Sequence, residues 1–151
     1  MIFIPGNVPS SKNSKQIAVV GGRPTLLYSK TVKKYLQNLG IQRFSSTSGI
    51  VGYKTRQNVF KSTLDGFFEN APTPCVLGMN FVRDSLRTFD VINAMQIIAD
   101  LIVAHGFLPD DDVKNLIPVP MKINGSFYSI CRSSPGVYLK IIKDYNISVD
   151  I

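Results

Sequence analysis

Residues 87–112 constrain the fold more than any other stretch. Arg87-Thr-Phe-Asp90-Val-Ile-Asn93 opens an apolar-periodic run that predicts a helix over about 89–105. Gly106 stops it, in the position after a helix where glycine is favoured. The chain continues Gly106-Phe-Leu-Pro-Asp110-Asp111-Asp112. A helix of about 16 residues is roughly 24 Å long, so acids at its two ends cannot share one ion in a single straight geometry. Either the chain after Gly106 travels back, or the helix is shorter than its pattern suggests.

The flanking segments read as alternating strands and helices. Residues 2–5 and 15–20 look like strands, and Gly21-Gly22 before Thr25-Leu-Leu-Tyr28 signals a hairpin. Ser29 is positioned to cap a helix running to about residue 43, broken by Ser45-Ser-Thr-Ser-Gly49. A second helix is expected from about Thr55 to Phe68, and a strand over Cys75–Arg83. Val113 to Ile123 is β-like, but Pro118 and Pro120 demote it to an edge or irregular strand. Asn124-Gly125 marks a turn, followed by strands from Ser126 to Cys131 and from Val137 to Ile142. At 151 residues, with strands and helices intermixed and no linker or repeat, the expectation is one α+β domain over 1–151. Its sheet is expected to be mixed, with helices packed on it.

Charge is distributed unevenly. Between Asp84 and Asp112 lie six of the ten acids and only one of the 17 Lys/Arg, Arg87, in a chain of net charge +7. A basic protein suits an anionic partner. A carboxylate cluster inside it suits a divalent cation held against a polyanion, because magnesium needs few protein carboxylates once phosphate oxygens complete its shell. Metal-dependent cleavage of nucleic acid follows as the first expectation. The cations are scattered rather than lined along one amphipathic face, which argues against a membrane surface. No apolar run approaches the roughly 20 residues of a membrane span. Met1-Ile-Phe-Ile-Pro5 lacks the basic and long apolar regions of a signal peptide, and a cytoplasmic location is expected. Cys75 and Cys131 read as buried reduced thiols.

Several alternatives lose on spacing. Gly6-Asn-Val-Pro-Ser-Ser11-Lys12-Asn13 shadows a phosphate-binding P-loop, but Ser11 replaces the second glycine and a strand follows where a helix is required. The same loop reads as a backbone-contacting or a solvated one, with Lys12, Asn13 and Lys15 as its polar groups. The alternating acids of an EF-hand are missing, and a single histidine, His105, supports no zinc site. His105 reads as a cation meeting the dipole at a helix end. Asp90 also reads as an N-cap, the triple Asp as a solvated loop, and Asp100 as structural. The tyrosines are dispersed, with no aromatic cluster of the RNA-stacking kind.

In this company of residues the chain resembles the RusA family of Holliday junction resolvases, common in phages and prophages. Ile4-Pro5-Gly6 with Val8-Pro9-Ser-Ser-Lys-Asn13 is similar to that family's opening strand and Asn-containing loop. Asp90-Val-Ile-Asn93 is similar to its Asp-x-Asp-Asn helix opening, and Gly106-Phe-Leu-Pro-Asp110-Asp111 to its downstream Asp pair at the expected spacing. The likeness covers roughly 1–15 and 83–123. It implies a homodimer that binds four-way DNA junctions and makes paired nicks with magnesium, or manganese as a substitute, without a nucleotide cofactor. Asp90 and Asp111 would be the catalytic, metal-holding pair, with Asp110 or Asp112 assisting. Lys12, Asn13, Lys15, Arg83, Arg87 and Asn93 would contact DNA. Two positions depart from the pattern: Ile92 stands where the second motif aspartate is usual, and Gln96 where a lysine is often found. Both leave room for a relative that binds junctions without cutting them.

Overall fold

The computed structural model describes residues 1–10, 15–45, 49–52 and 57–151. In chain order its elements are β1 (Ile2–Pro5), β2 (Lys15–Val20), β3 (Arg23–Tyr28), α1 (Lys30–Asn38), β4 (Ile41–Ser45) and β5 (Gly49–Gly52). There follow α2 (Val59–Leu64), β6 (Cys75–Arg83), α3 (Val91–Ala104), β7 (Leu116–Pro120), β8 (Tyr128–Ile130) and β9 (Gly136–Ile141).

β6 organises the domain. Its alternation puts Cys75, Leu77, Met79 and Phe81 on one face, and all four are fully buried. The sheet runs β1-β9-β6-β7, with β8 also paired to β6. β9 is antiparallel to β6, whereas β7 and β8 are parallel to it, so the sheet is mixed as expected. β7 pairs with the first half of β6 and β8 with its last three residues. β2–β3 and β4–β5 form separate two-stranded hairpins. The result is a small α+β domain with a five-stranded sheet. None of the described helices is long and apolar enough to cross a membrane.

α3 is rich in β-branched Val and Ile, which are indifferent helix formers. Burial is what stabilises it: Ala94, Ile97, Ile98, Leu101 and Ile102 enter the core that covers β6. Each large aliphatic buried there contributes about 1.5–3 kcal/mol. At its far end Gly106 has φ +77° and donates to Val103 O at 2.9 Å, while Phe107 N–H donates to Ile102 O at 3.1 Å. This pair of bonds satisfies the last carbonyls and turns the chain around.

Some boundaries differ from the sequence reading. Ser29 does cap α1, accepting from Val32 N at 3.3 Å. The helix nevertheless ends at Asn38, because Gly40 adopts φ +80° and residues 41–45 pair with 49–52 as a hairpin. α2 is shorter than predicted, and the expected start at Thr55 lies outside the described residues, as does part of the 45–49 break. β7 sits at a sheet edge, where its prolines are tolerated. Cys75 is buried and Cys131 half-buried, both unpaired.

His105 corrects a second expectation. Asn58 caps α2 through Oδ1, which accepts from Lys61 N at 2.9 Å, so its Nδ2 is the atom 2.9 Å from His105 Nε2. That nitrogen must accept. Nδ1, 2.7 Å from Leu101 O, therefore carries the proton. Burial pushes the imidazole pKa down and the charge of Lys61 adds to this, against the Leu101 bond. His105 is a neutral link between α2 and α3 rather than a cation on the helix dipole.

Candidate functional site

The site is built on α3 and the chain either side of it. Asp90 is the N-cap: its carboxylate accepts from Ile92 N at 3.0 Å and Asn93 N at 3.3 Å. The bland reading of this residue is therefore realised, and the cap also fixes where the carboxylate sits. Asn93, one turn on, places Nδ2 3.5 Å from Ser10 O. Arg83, at the end of β6, donates from its guanidinium to Val8 O. Two side chains of the motif region thus hold the loop after β1 against the head of α3. The sequence's first and second motif elements meet in space.

The third element joins them by the return of the chain. β7 is parallel to β6, so the segment after Gly106 must run back to the end of the sheet where β6 began. Cys75 N–H donates to Asn115 O at 2.9 Å where it arrives. On the way it passes α3, and Asp111 meets Gln96. Gln96 Nε2 donates to Asp111 Oδ2 at 2.8 Å and to Asp100 Oδ1 at 2.7 Å. Gln96 and Asp100 are four residues apart and share a helix face. Two carboxylates thereby converge on one amide nitrogen midway along α3, six residues after Asp90 and so about 9 Å from that cap along the helix axis.

The neighbouring acids have other duties. Asp110 accepts from Asp111 N at 2.8 Å. Asp112 Oδ1 takes three donors, Lys114 N, Asn115 N and Asn115 Nδ2, at 3.1, 3.1 and 2.7 Å. Through this oxygen it holds the turn into β7. Asp100, read as structural, accepts from the same Gln96 nitrogen as Asp111. The i,i+4 spacing with Gln96 was the available signal.

The proposed DNA contacts separate in the same way. Arg83 is 8% exposed, and its guanidinium also lies over the Phe89 ring at 4.6 Å. Burial lowers its pKa, countered by nearby Asp84. A buried, engaged guanidinium is a strut and not a surface phosphate contact, and Asn93 is likewise occupied with the loop. Arg87 is exposed. Lys12 and Asn13 lie outside the described residues, and Lys15 begins β2. Ile92, in the position of a usual aspartate, is 69% exposed.

Among the described residues no three His, Cys, Asp or Glu side chains converge as a metal-holding group. The expected four-acid set of Asp90, Asp110, Asp111 and Asp112 is therefore not assembled. Magnesium, however, is commonly held by one or two carboxylates, with water and phosphate oxygens completing six positions. The Asp100–Asp111 pair supplies two carboxylates.

Comparison with known protein families, curated proteins and solved structures returned no match.

Proposed function

We propose that the protein is a magnesium-dependent endonuclease that nicks four-way DNA junctions in pairs, acting as a homodimer. The observation that carries this reading is the return of Asp111 onto α3, where it shares the Gln96 amide with Asp100. The motif pieces that resemble the RusA family are far apart in sequence, and the fold gathers them around one helix. Asp111 and Asp100 would hold the cation, with Asp90 at the head of the same helix. A magnesium ion bound there would supply an activated water and would screen charge on the phosphodiester. Gln96 orients the two carboxylates, and Arg83 and Asn93 position the loop that leads to Lys12. A two-fold dimer would match the approximate two-fold symmetry of the junction and so coordinate cuts on opposite strands.

A second reading is a junction- or duplex-binding protein that does not cut. Exposed Ile92 favours it, because an apolar side chain stands where a further carboxylate would complete the site.

Incubation with a labelled synthetic four-way junction, with magnesium and with EDTA, beside a linear duplex, separates the readings. Paired nicks on the junction that require magnesium, and that Asp111→Asn abolishes while junction binding persists, are the expected result. Tight binding without nicks selects the second reading. A protein that neither binds nor cuts overturns both.

A further inference from the structure

Most cations of the chain are spread through the sequence, but α1 gathers three of them. Residues 1–64 carry ten of the 17 Lys/Arg and no acid; the first acid is Asp65. Within this stretch Lys30, Lys33 and Lys34 are exposed on α1, and Gln37 is exposed one turn further on. Residues spaced i, i+3, i+4 and i+7 share one helix face. Val32, Tyr35, Leu36 and Leu39 hold the opposite face in the core. Nothing in helix energetics calls for the lysines. Like charges three and four residues apart repel, where an acid at either spacing would attract. Lys30, the first residue of the helix, also sets a cation against the positive end of the dipole. The helix forms through its Ser29 cap and its buried face, at odds with the charge it displays. A solvated helix face ordinarily mixes signs, whereas this one suits a polyanion that neutralises it.

α1 is also fixed to the candidate site. A Cβ on Gly6 would stand 3.0 Å from Tyr35 Cε2, so the helix packs on the start of the loop whose Val8 and Ser10 carbonyls meet Arg83 and Asn93. Whatever α1 binds is held by an element tied to the head of α3, not by a free tail. Spacing and burial select the polyanion. Lys33 and Lys34 follow Lys30 by about 4.5 and 6 Å along the helix axis. One DNA strand offers a phosphate about every 3.4 Å of duplex, which brings successive phosphates within reach of the three flexible stems. Gln37 adds a neutral donor of the kind that meets phosphate oxygens. An anionic membrane would need apolar side chains beside the lysines, and those of α1 are in the core. We infer that the Lys30–Lys33–Lys34 face of α1 docks the sugar–phosphate backbone of a duplex DNA arm. The choice of DNA rests on the nuclease reading above, to which this face adds a sequence-independent hold on one arm of the substrate.

The test uses the full chain, a linear duplex and a four-way junction whose arms share its sequence, in EDTA, with affinity measured from roughly 50 to 200 mM salt. Lys30→Gln, Lys33→Gln and Lys34→Gln together are expected to leave stability in urea equal to wild type or higher, since they remove only repulsion. Affinity for both DNAs is expected to fall about tenfold or more, and the salt slope to shrink by about two to three units, at about 0.9 per lysine. A loss shared by both DNAs marks a contact made along an arm, because backbone contacts carry no sequence or branch information. Lys30→Arg, Lys33→Arg and Lys34→Arg together keep the charge and should keep the slope. If the glutamine variant binds both DNAs with the wild-type slope, the inference is overturned, while the nuclease reading stands as long as the junction is nicked with magnesium. A glutamine variant that loses stability makes the lysines part of the fold, and overturns the inference too. If the wild type binds neither DNA, both readings fail; lysine-dependent binding to vesicles of phosphatidylserine and phosphatidylcholine would then make the face a lipid one.

Discussion

A single amide nitrogen, that of Gln96, serves two carboxylates. Its two hydrogens go to Asp100, on the same helix face, and to Asp111, in the segment after Gly106, without adding charge. Glutamine thus keeps a donor at the position where the resemblance to the RusA family leads to an expected lysine. At the same scale His105 makes a prediction with a definite sign. Its folded-state pKa lies below 6.5 because burial opposes the charged form, and protonation would set Nε2–H against the Asn58 amide donor. The unfolded chain therefore binds the proton more readily, so stability rises with pH across this window. The contribution is complete above about pH 6.5 and is lost as pH falls from there through the lower folded value. In urea titrations the midpoint should drop between pH 7 and pH 5, a range above the ordinary carboxylate pKa values. His105→Gln, starting less stable, should show a flatter profile. Equal slopes for the two proteins would refute the neutral tautomer. None of this was legible in the chain, where His105 reads as a helix-end cation. The imidazole's partner is 47 residues away.

Helix α3 shows what a sequence does and does not disclose about an element. Its ends were legible because both are set locally, by Asp90 as cap and by Gly106 at positive φ. β6 was legible because its apolar run is bounded by turn residues. α1 was overextended because its end depends on Gly40 and on a hairpin with residues 49–52, a pairing that no local signal announces. The meeting of Asp111 with Gln96 was legible only as a requirement, since it follows from β7 lying parallel to β6. Asp90 has both a capping and a proposed catalytic role, and substitution can separate them. Asparagine caps a helix about as well as aspartate, whereas alanine costs about 1 kcal/mol. Asp90→Asn should leave the melting temperature within a degree or two while junction cutting disappears. Asp90→Ala should lose cutting and also about 1 kcal/mol of stability by chemical denaturation. If Asp90→Asn cuts normally, the carboxylate is a cap and nothing more.

At the scale of the whole molecule, charge is segregated along the chain. Acids concentrate in 84–112 and are missing from 113–143, so the stretch from Val113 to Lys143 carries positive charge only. Phosphate held by the basic region would keep a strand at the acids, where a divalent cation neutralises what would otherwise repel it. Binding then has a measurable electrostatic signature. Each phosphate neutralised releases condensed counterion, and the logarithm of the affinity for duplex DNA falls with the logarithm of salt concentration by about 0.9 per contact. Arg132 is exposed beyond β8 and holds none of the buried struts described above. Arg132→Gln should therefore reduce the slope by about one unit at unchanged fold. Arg83→Gln should act differently. Its guanidinium is buried and tied to the loop after β1, so its loss should lower stability by about 1–3 kcal/mol, the range for stranding a buried polar partner. Affinity measured in EDTA from roughly 50 to 200 mM salt, beside denaturation of the same proteins, distinguishes the two. A slope unchanged in Arg132→Gln removes it from the phosphate contacts. A slope reduced in Arg83→Gln at full stability would mean that this buried arginine reaches DNA after all.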